Sequence, residues 1–148
     1  MNIFKEFLEN KVLWTSLLSW AIAQTLKVII ELARHKRIDS KLFVSTGGMP
    51  SSHSAFSSAM AAGVGLADGF NSSVFAVAAV ISLVVMYDAA GIRRAAGKQA
   101  EILNMLIDYW ENAGLKIDKR LKELLGHTPI EVAAGAILGI VTAIIVIK

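Results

Sequence analysis

The sequence predicts an all-α fold: an integral membrane helical bundle of about four transmembrane helices, with an amphipathic interfacial helical segment between the third and fourth. Three observations lead there. The chain is 55% hydrophobic and only 18% charged, with a mean hydropathy of +0.57. Its apolar residues are gathered into blocks close to the length of a membrane-crossing helix. Two of those blocks carry small residues four apart, a spacing that lets helices approach closely in a bilayer. At 148 residues the chain reads as a single membrane-embedded domain, 1–148. It has no cysteine, which excludes disulfides, thiolate metal sites and cysteine nucleophiles. Its basic residues sit beside apolar segments and form no nucleic-acid module, so no nucleic-acid partner is expected.

Met1 to Lys11 is short and mixed in charge, with Phe4, Phe7 and Leu8 suited to the membrane interface. The first apolar segment runs from Val12 to about Leu32, interrupted by Lys27 and Glu31. At 1.5 Å per residue it reaches about 30 Å, one hydrocarbon thickness. Trp14 and Trp20 suit interface or packing positions. Ala21-Ile22-Ala23 has the small-residue pattern of a signal cleavage site. However, Glu6 and Glu9 precede it and the apolar pattern continues past it, so a retained span is expected.

Arg34 to Lys41 reads as a basic turn. The second apolar segment, Ala55 to Ala67, is short and rich in Ala, Gly and Ser, with Ser57, Ala61 and Gly65 in a stripe. Asp68 to Asn71 is a turn. The third segment is Ser73 to Ala90. Gly91 to Gln99 is small and basic, and Glu101 to Trp110 is an apolar-rich helix candidate. Leu115 to Leu125 has Ile117, Leu121, Leu124 and Leu125 on one face and Lys116, Lys119, Arg120 and Lys122 on the other. That pattern suits a helix on the membrane surface, and equally a helix covering the bundle with a solvated outer face. The last segment, Ile130 to Ile147, carries Gly135 and Gly139. The small-residue stripes suit internal packing or a homodimer.

Four alternating spans bring Lys27, Arg34, His53, Asp88, Arg93, Arg94 and His127 to one side of the bilayer. Ionisable groups at membrane depth are costly and mark a functional site by default. Outside the spans, that side also holds Lys36, Arg37, Lys41, Lys98, Lys116, Lys119, Arg120 and Lys122; the other side holds only Lys5, Lys11 and Lys148. The positive-inside rule then puts the site on the cytoplasmic face of the cell membrane.

Two short stretches carry the chemistry. In Gly47 to Ala55, GGMPSSHSA, glycines let the backbone approach a ligand, and Ser51 or Ser52 can cap the following helix. His53 is then delivered to a helix N-terminus, a place that favours anions. Plain capping preference explains most of that stretch too. In Gly126 to Glu131, GHTPIE, Thr128 as cap, Pro129 and Glu131 form a capping box, which leaves His127 unexplained. His127 and Glu131 are four apart and can share a face. A carboxylate bonded to one imidazole nitrogen makes the other a better nucleophile or base. Two histidines ringed by cations suit phosphoryl transfer: one attacks phosphorus, and the other protonates the leaving oxygen.

These residues resemble the type 2 phosphatidic acid phosphatases, membrane lipid phosphatases related to vanadium haloperoxidases, in a small divergent branch. The family pattern begins with Lys, six residues and Arg-Pro; Lys27 and Arg34 match that spacing. Its Pro-Ser-Gly-His is matched by Pro50-Ser51-Ser52-His53. Its final His, three residues, Asp is matched by His127 and Glu131. The resemblance implies His127 as a nucleophile forming a phosphohistidine, Glu131 orienting it, and His53 as general acid. It also implies that Lys27, Arg34, Ser51 and Ser52 hold the phosphate and that no metal or other cofactor is needed. The substrate would be a lipid phosphate or diphosphate drawn from the membrane, of the polyprenyl diphosphate or phosphatidate type.

The chain departs from that pattern. His35 stands where proline is expected, Ser52 replaces glycine and Glu131 replaces aspartate. The third-part arginine falls on Leu121, and four spans replace the usual six. Arg93 or Arg94 is the favoured substitute arginine, ahead of Arg120 and Lys122. A rival expectation keeps the scaffold without catalysis, as a lipid-phosphate binding, transport or structural membrane protein. Vanadate-dependent oxidation is disfavoured by membrane burial; vanadate is expected to act as an inhibitor.

Overall fold

The structure, a computed structural model, describes residues 2–35, 48–115, 120–121 and 126–148, with the side chains of Arg34 and His35 outside that set. Among the described residues there are six helices: α1 (Ile3–Leu8), α2 (Lys11–His35), α3 (Ser52–Asp68), α4 (Ser73–Ala90), α5 (Ile92–Asn112) and α6 (Pro129–Ile147). No strand occurs among the described residues.

Helix α3 is the centre of the bundle, with α2, α4 and α6 packed around it. Its buried residues are all serine, alanine or glycine. Among the described residues, three helical stretches are long and apolar enough to cross a membrane: Lys11–Ala33, Ser73–Asn112 and Pro129–Ile147. Helix α3, expected as the second of four spans, is not among them. Neighbouring helices cover it, so it needs small side chains for close approach rather than bulk apolar surface. The outer helices turn large apolar residues outward instead, among them Val77, Val84, Ile137 and Ile145. Lipid tails suit such a surface, whereas water does not.

A serine hydroxyl links α3 to each neighbour. Ser19 of α2 donates to the Ala55 carbonyl at 3.1 Å. Ser82 of α4 donates to Ser57 Oγ at 3.2 Å, and Ser58, whose one proton is shared with the Ser54 carbonyl at 2.6 Å, reaches the Ala136 carbonyl of α6 at 3.1 Å. In an apolar medium such bonds contribute about 0.6 kcal/mol each on average. Gly135 and Gly139 face α3 so closely that a Cβ there would overlap the carbonyls of Ser51 and Ala55. Both small-residue stripes are therefore used inside the chain. Helices α3 and α6 run parallel: Ser51 meets Gly135 at one end, and Gly63 meets Ile147 at the other. Their N-termini lie side by side.

Between α4 and α6 the structure differs in part from expectation. Residues 92–112 form one continuous helix, not a basic stretch followed by a separate helix. Gly114, at φ +93, ends it; the Gly114 and Leu115 amides return to the Glu111 and Trp110 carbonyls. The helix expected over 115–125 falls largely outside the described residues. Arg120 and Leu121, which are described, are not helical. The Leu121 amide donates to Asn104 Oδ1 at 2.9 Å and its carbonyl accepts from Asn104 Nδ2 at 2.8 Å, so its backbone groups go to a side chain of α5. Arg120 pairs with Asp108 and Glu111 on the same helix. Arg34, expected in a turn, lies in the last turn of α2.

Candidate active site

His127 precedes α6 and is almost fully buried, at 1% exposure. Its position is set from two directions. Its backbone amide donates to the Ala89 carbonyl at the end of α4, at 2.9 Å. Its Nδ1 lies 3.1 Å from Glu131 Oε2. The same carboxylate oxygen accepts the Thr128 amide at 3.1 Å, while Thr128 Oγ1 accepts the Glu131 amide at 3.3 Å, completing the capping box. The cap and the histidine thus share one carboxylate. An Nδ1–H donated to Glu131 leaves the Nε2 lone pair available, and Nε2 is buried with no hydrogen-bond partner among the described residues. Burial pushes the His127 imidazole below its ordinary value of 6.5, against the opposing hydrogen bond and charge of Glu131 and the nearby Gly48 backbone; Lys27 adds to the downward push.

His53 stands in the first turn of α3, after Ser51 caps that helix by accepting the Ser54 amide. Its ring centroid lies 6.0 Å from that of His127, with the planes inclined at 63°. Its Nδ1 is likewise buried without a partner among the described residues. The parallel course of α3 and α6 causes this meeting, because the Ser51 amide donates to the Glu131 carbonyl at 3.0 Å and ties the two helix starts together.

Cations surround the pair. Lys27 comes from α2 and is 3% exposed. It lies within electrostatic reach of Glu131 and of both histidines. Gly48, at φ +91, lies against the Lys27 aliphatic stem. A side chain at Gly48 would be strained and would press on Cγ at 3.3 Å. Arg93, in the first turn of α5, also reaches His53 electrostatically. Its Nε lies 2.7 Å from Asp88 Oδ2. Two parallel helix N-termini, a buried lysine and an arginine together favour a bound anion.

The predicted site residues divide accordingly. His127, Glu131, His53, Lys27 and Arg93 are gathered at one end of the bundle, beside the α3 start formed by buried Ser51 and Ser52. The Ser51 hydroxyl is engaged as cap and as acceptor from Ser54 Oγ at 3.0 Å. The Arg94 side chain is exposed and forms no ion pair among the described residues. Arg34 lies two turns beyond Lys27 on the same helix face, and its side chain is outside the described residues.

Two residues to which the sequence assigns no role belong to the site. Asp88 was placed on this side without a role, although its spacing to Arg93 across the α4–α5 junction allows the pair. Gly126, at φ +89, lets the backbone before His127 touch that of Arg93 and Arg94; a Cβ there would overlap the Arg94 nitrogen. A glycine directly before a candidate nucleophile was the available signal.

A family model described as "Divergent PAP2 family" matches residues 8–142. The uncharacterized membrane protein YuiD of Bacillus subtilis (strain 168) is 42% identical over 151 aligned positions, covering 95% of this chain and 96% of that protein. No solved structure gives a significant match. The apolar helices and this relative place the chain in a membrane.

Proposed function

The chain belongs to the divergent PAP2 family, and from that membership we propose that it is a membrane phosphatase acting on a lipid phosphate or diphosphate, such as phosphatidate or a polyprenyl diphosphate. The observation that carries the proposal is the meeting of His53 and His127 at 6.0 Å, with Glu131 on the Nδ1 of the second.

In the proposed reaction, His127 Nε2 donates its lone pair to phosphorus. The bond from phosphorus to the lipid oxygen breaks, and protonated His53 gives its proton to that oxygen. Lys27, Arg93 and Arg34 offset the charge on the remaining phosphoryl oxygens, and the α3 start at Ser51 and Ser52 adds its dipole. Glu131 accepts a hydrogen bond from Nδ1–H, which stays on the ring, and its charge steadies the positive ring of the phosphohistidine. Water then attacks phosphorus, His53 takes its proton, and the nitrogen–phosphorus bond breaks to release phosphate.

A second reading, lipid-phosphate binding or transport without turnover, draws on Leu121. It stands where the family's third-part arginine would fall, and Asn104 holds its backbone against α5. Phosphate release by purified protein in the presence of a chelator separates the two. Turnover that is lost in His127→Ala supports hydrolysis. Equal turnover in both proteins defeats the mechanism, and lipid-phosphate affinity without turnover favours the second reading.

The proposed side is cytoplasmic, on the excess of lysine and arginine there. The cysteine-free chain allows a direct test: Lys98→Cys should resist an impermeant maleimide in intact cells, and Asn71→Cys should react.

A further inference from the structure

Below the histidines, α4 and α6 stand apart over α3 and leave a groove of about 420 Å³ lined almost wholly by apolar atoms. The two hydroxyls on its wall are already engaged, Ser58 with the Ser54 carbonyl at 2.6 Å and Ser82 with Ser57. Ala62, Ala79 and Ala136 keep it open. Leu83, Ile140 and Ile144 line its outer edge and are 62%, 44% and 44% exposed, so the groove faces the lipid. Its floor is an aromatic pair, Phe70 and Phe75, with ring centroids 5.1 Å apart and planes at 77°. Phe70 is seated against Gly65, where a Cβ would overlap the ring.

We infer that this groove holds the hydrocarbon tail of the lipid whose phosphate lies between the histidines, and that the phenylalanine pair sets the favoured tail length. The inference rests on the proposed hydrolytic reading and adds a substrate subsite to it. Three observations argue for this occupant. Ser58, at the upper wall, is five residues below His53 on α3, so the groove begins about 7 Å from the histidine end. From Ser58 to Leu66 it runs about 12 Å, close to half of a hydrocarbon core about 30 Å thick. The groove also opens sideways between two helices whose outer faces are apolar, so a tail enters from the bilayer without crossing water. The fit is to one chain of ordinary acyl length. A much longer polyprenyl chain has to leave through the open side.

Two measurements test the inference. In the first, turnover of phosphatidates of graded tail length in detergent is compared with turnover of a short-chain, water-soluble phosphomonoester. Ala79→Leu, which fills the groove, should lower the long-to-short turnover ratio at least ten-fold. Phe75→Ala, which opens the floor, should shift the preferred tail to greater length. Unchanged ratios in both variants overturn the subsite.

In the second, a phosphatidate with a photoreactive tail is crosslinked to wild type and to His127→Ala. Label should concentrate on groove residues in both proteins, and diacylglycerol with the same tail should not reproduce it. Label spread evenly onto Val77 and Val84 of the outer α4 face, or matched by diacylglycerol, shows bulk membrane lipid and overturns the subsite. Groove labelling with no hydrolysis of any phosphoester upholds the subsite and rejects the hydrolytic reading. Hydrolysis without groove labelling does the reverse.

Discussion

Glu131 Oε2 lies 3.1 Å from His127 Nδ1 and also 3.1 Å from the Thr128 amide. One carboxylate oxygen therefore closes the N-terminus of α6 and orients the imidazole, so fold and chemistry can be separated by substitution. Glutamine keeps the capping geometry but loses the charge. Glu131→Gln should unfold within about 1 kcal/mol of wild type yet lose on the order of 10²-fold in turnover. Glu131→Ala should lose both. Chemical denaturation in detergent and phosphate release measure the two effects.

His53 is expected to matter in proportion to the basicity of the leaving oxygen. A lipid alkoxide needs a proton as it departs, whereas p-nitrophenolate does not. His53→Ala should therefore lower turnover of a lipid phosphate on the order of 10²-fold or more and of p-nitrophenyl phosphate much less. Equal losses on the two substrates would remove His53 from the acid role.

The two adjacent arginines should behave differently. Both side chains are exposed, but Arg93 is held by Asp88 at 2.7 Å and reaches His53, whereas Arg94 forms no ion pair among the described residues. Arg93→Ala should cost on the order of 10²-fold in kcat/KM, the size of one transition-state charge contact. Arg94→Ala should cost less than about two-fold. Because the Arg93–Asp88 pair is partly exposed, its removal should change stability by no more than about 1 kcal/mol.

Burial holds the His127 imidazole below 6.5, so its neutral, nucleophilic form persists into mildly acidic solution. The acid limb of kcat/KM assigned to this ring should therefore lie below pH 6.5, and removing Lys27, which adds to the depression, should move it upward. The linkage has a matching sign. Between the two values the unfolded chain holds more protons than the native one, so stability rises with pH there. This contribution is fully present above about pH 6.5 and is lost as pH falls through the folded value. Melting temperatures between pH 7.5 and 5 should fall less steeply in His127→Asn.

Close approach of α3 and α6 leaves no room for larger residues. Gly139→Val should destabilise by about 3 kcal/mol or more, the upper range for overpacking, because its added atoms meet backbone. Ser82→Ala, which removes one interhelical hydrogen bond, should cost about 0.6 kcal/mol. Thermal unfolding in detergent measures both.

The sequence made the local devices legible because each is written in neighbouring residues. The Thr128–Glu131 cap, a serine cap on α3 (Ser51, of the two candidates) and the two small-residue stripes all occur where spacing placed them. The convergence of Lys27, His53, Arg93 and His127 was also legible, since alternating spans leave few other arrangements. The choice between Arg93 and Arg94 was not, because adjacent residues on a helix point about 100° apart and only the α5 orientation decides between them. Leu121 was misread for a similar reason. Its apolar spacing suits a helix, but Asn104, seventeen residues earlier, takes its backbone hydrogen bonds. The small residues of α3 serve packing at the centre of the bundle, so its length and composition do not by themselves mark it as a span.

That central position has a consequence for biogenesis. A serine-, alanine- and glycine-rich helix partitions poorly into lipid by itself, so α3 should enter the bilayer as a passenger, drawn in by its strongly apolar neighbours. His53 would then reach its place only when the later helix bearing Gly135 arrives to sheath it. On that account the nascent chain carries no working centre until its last span is laid down.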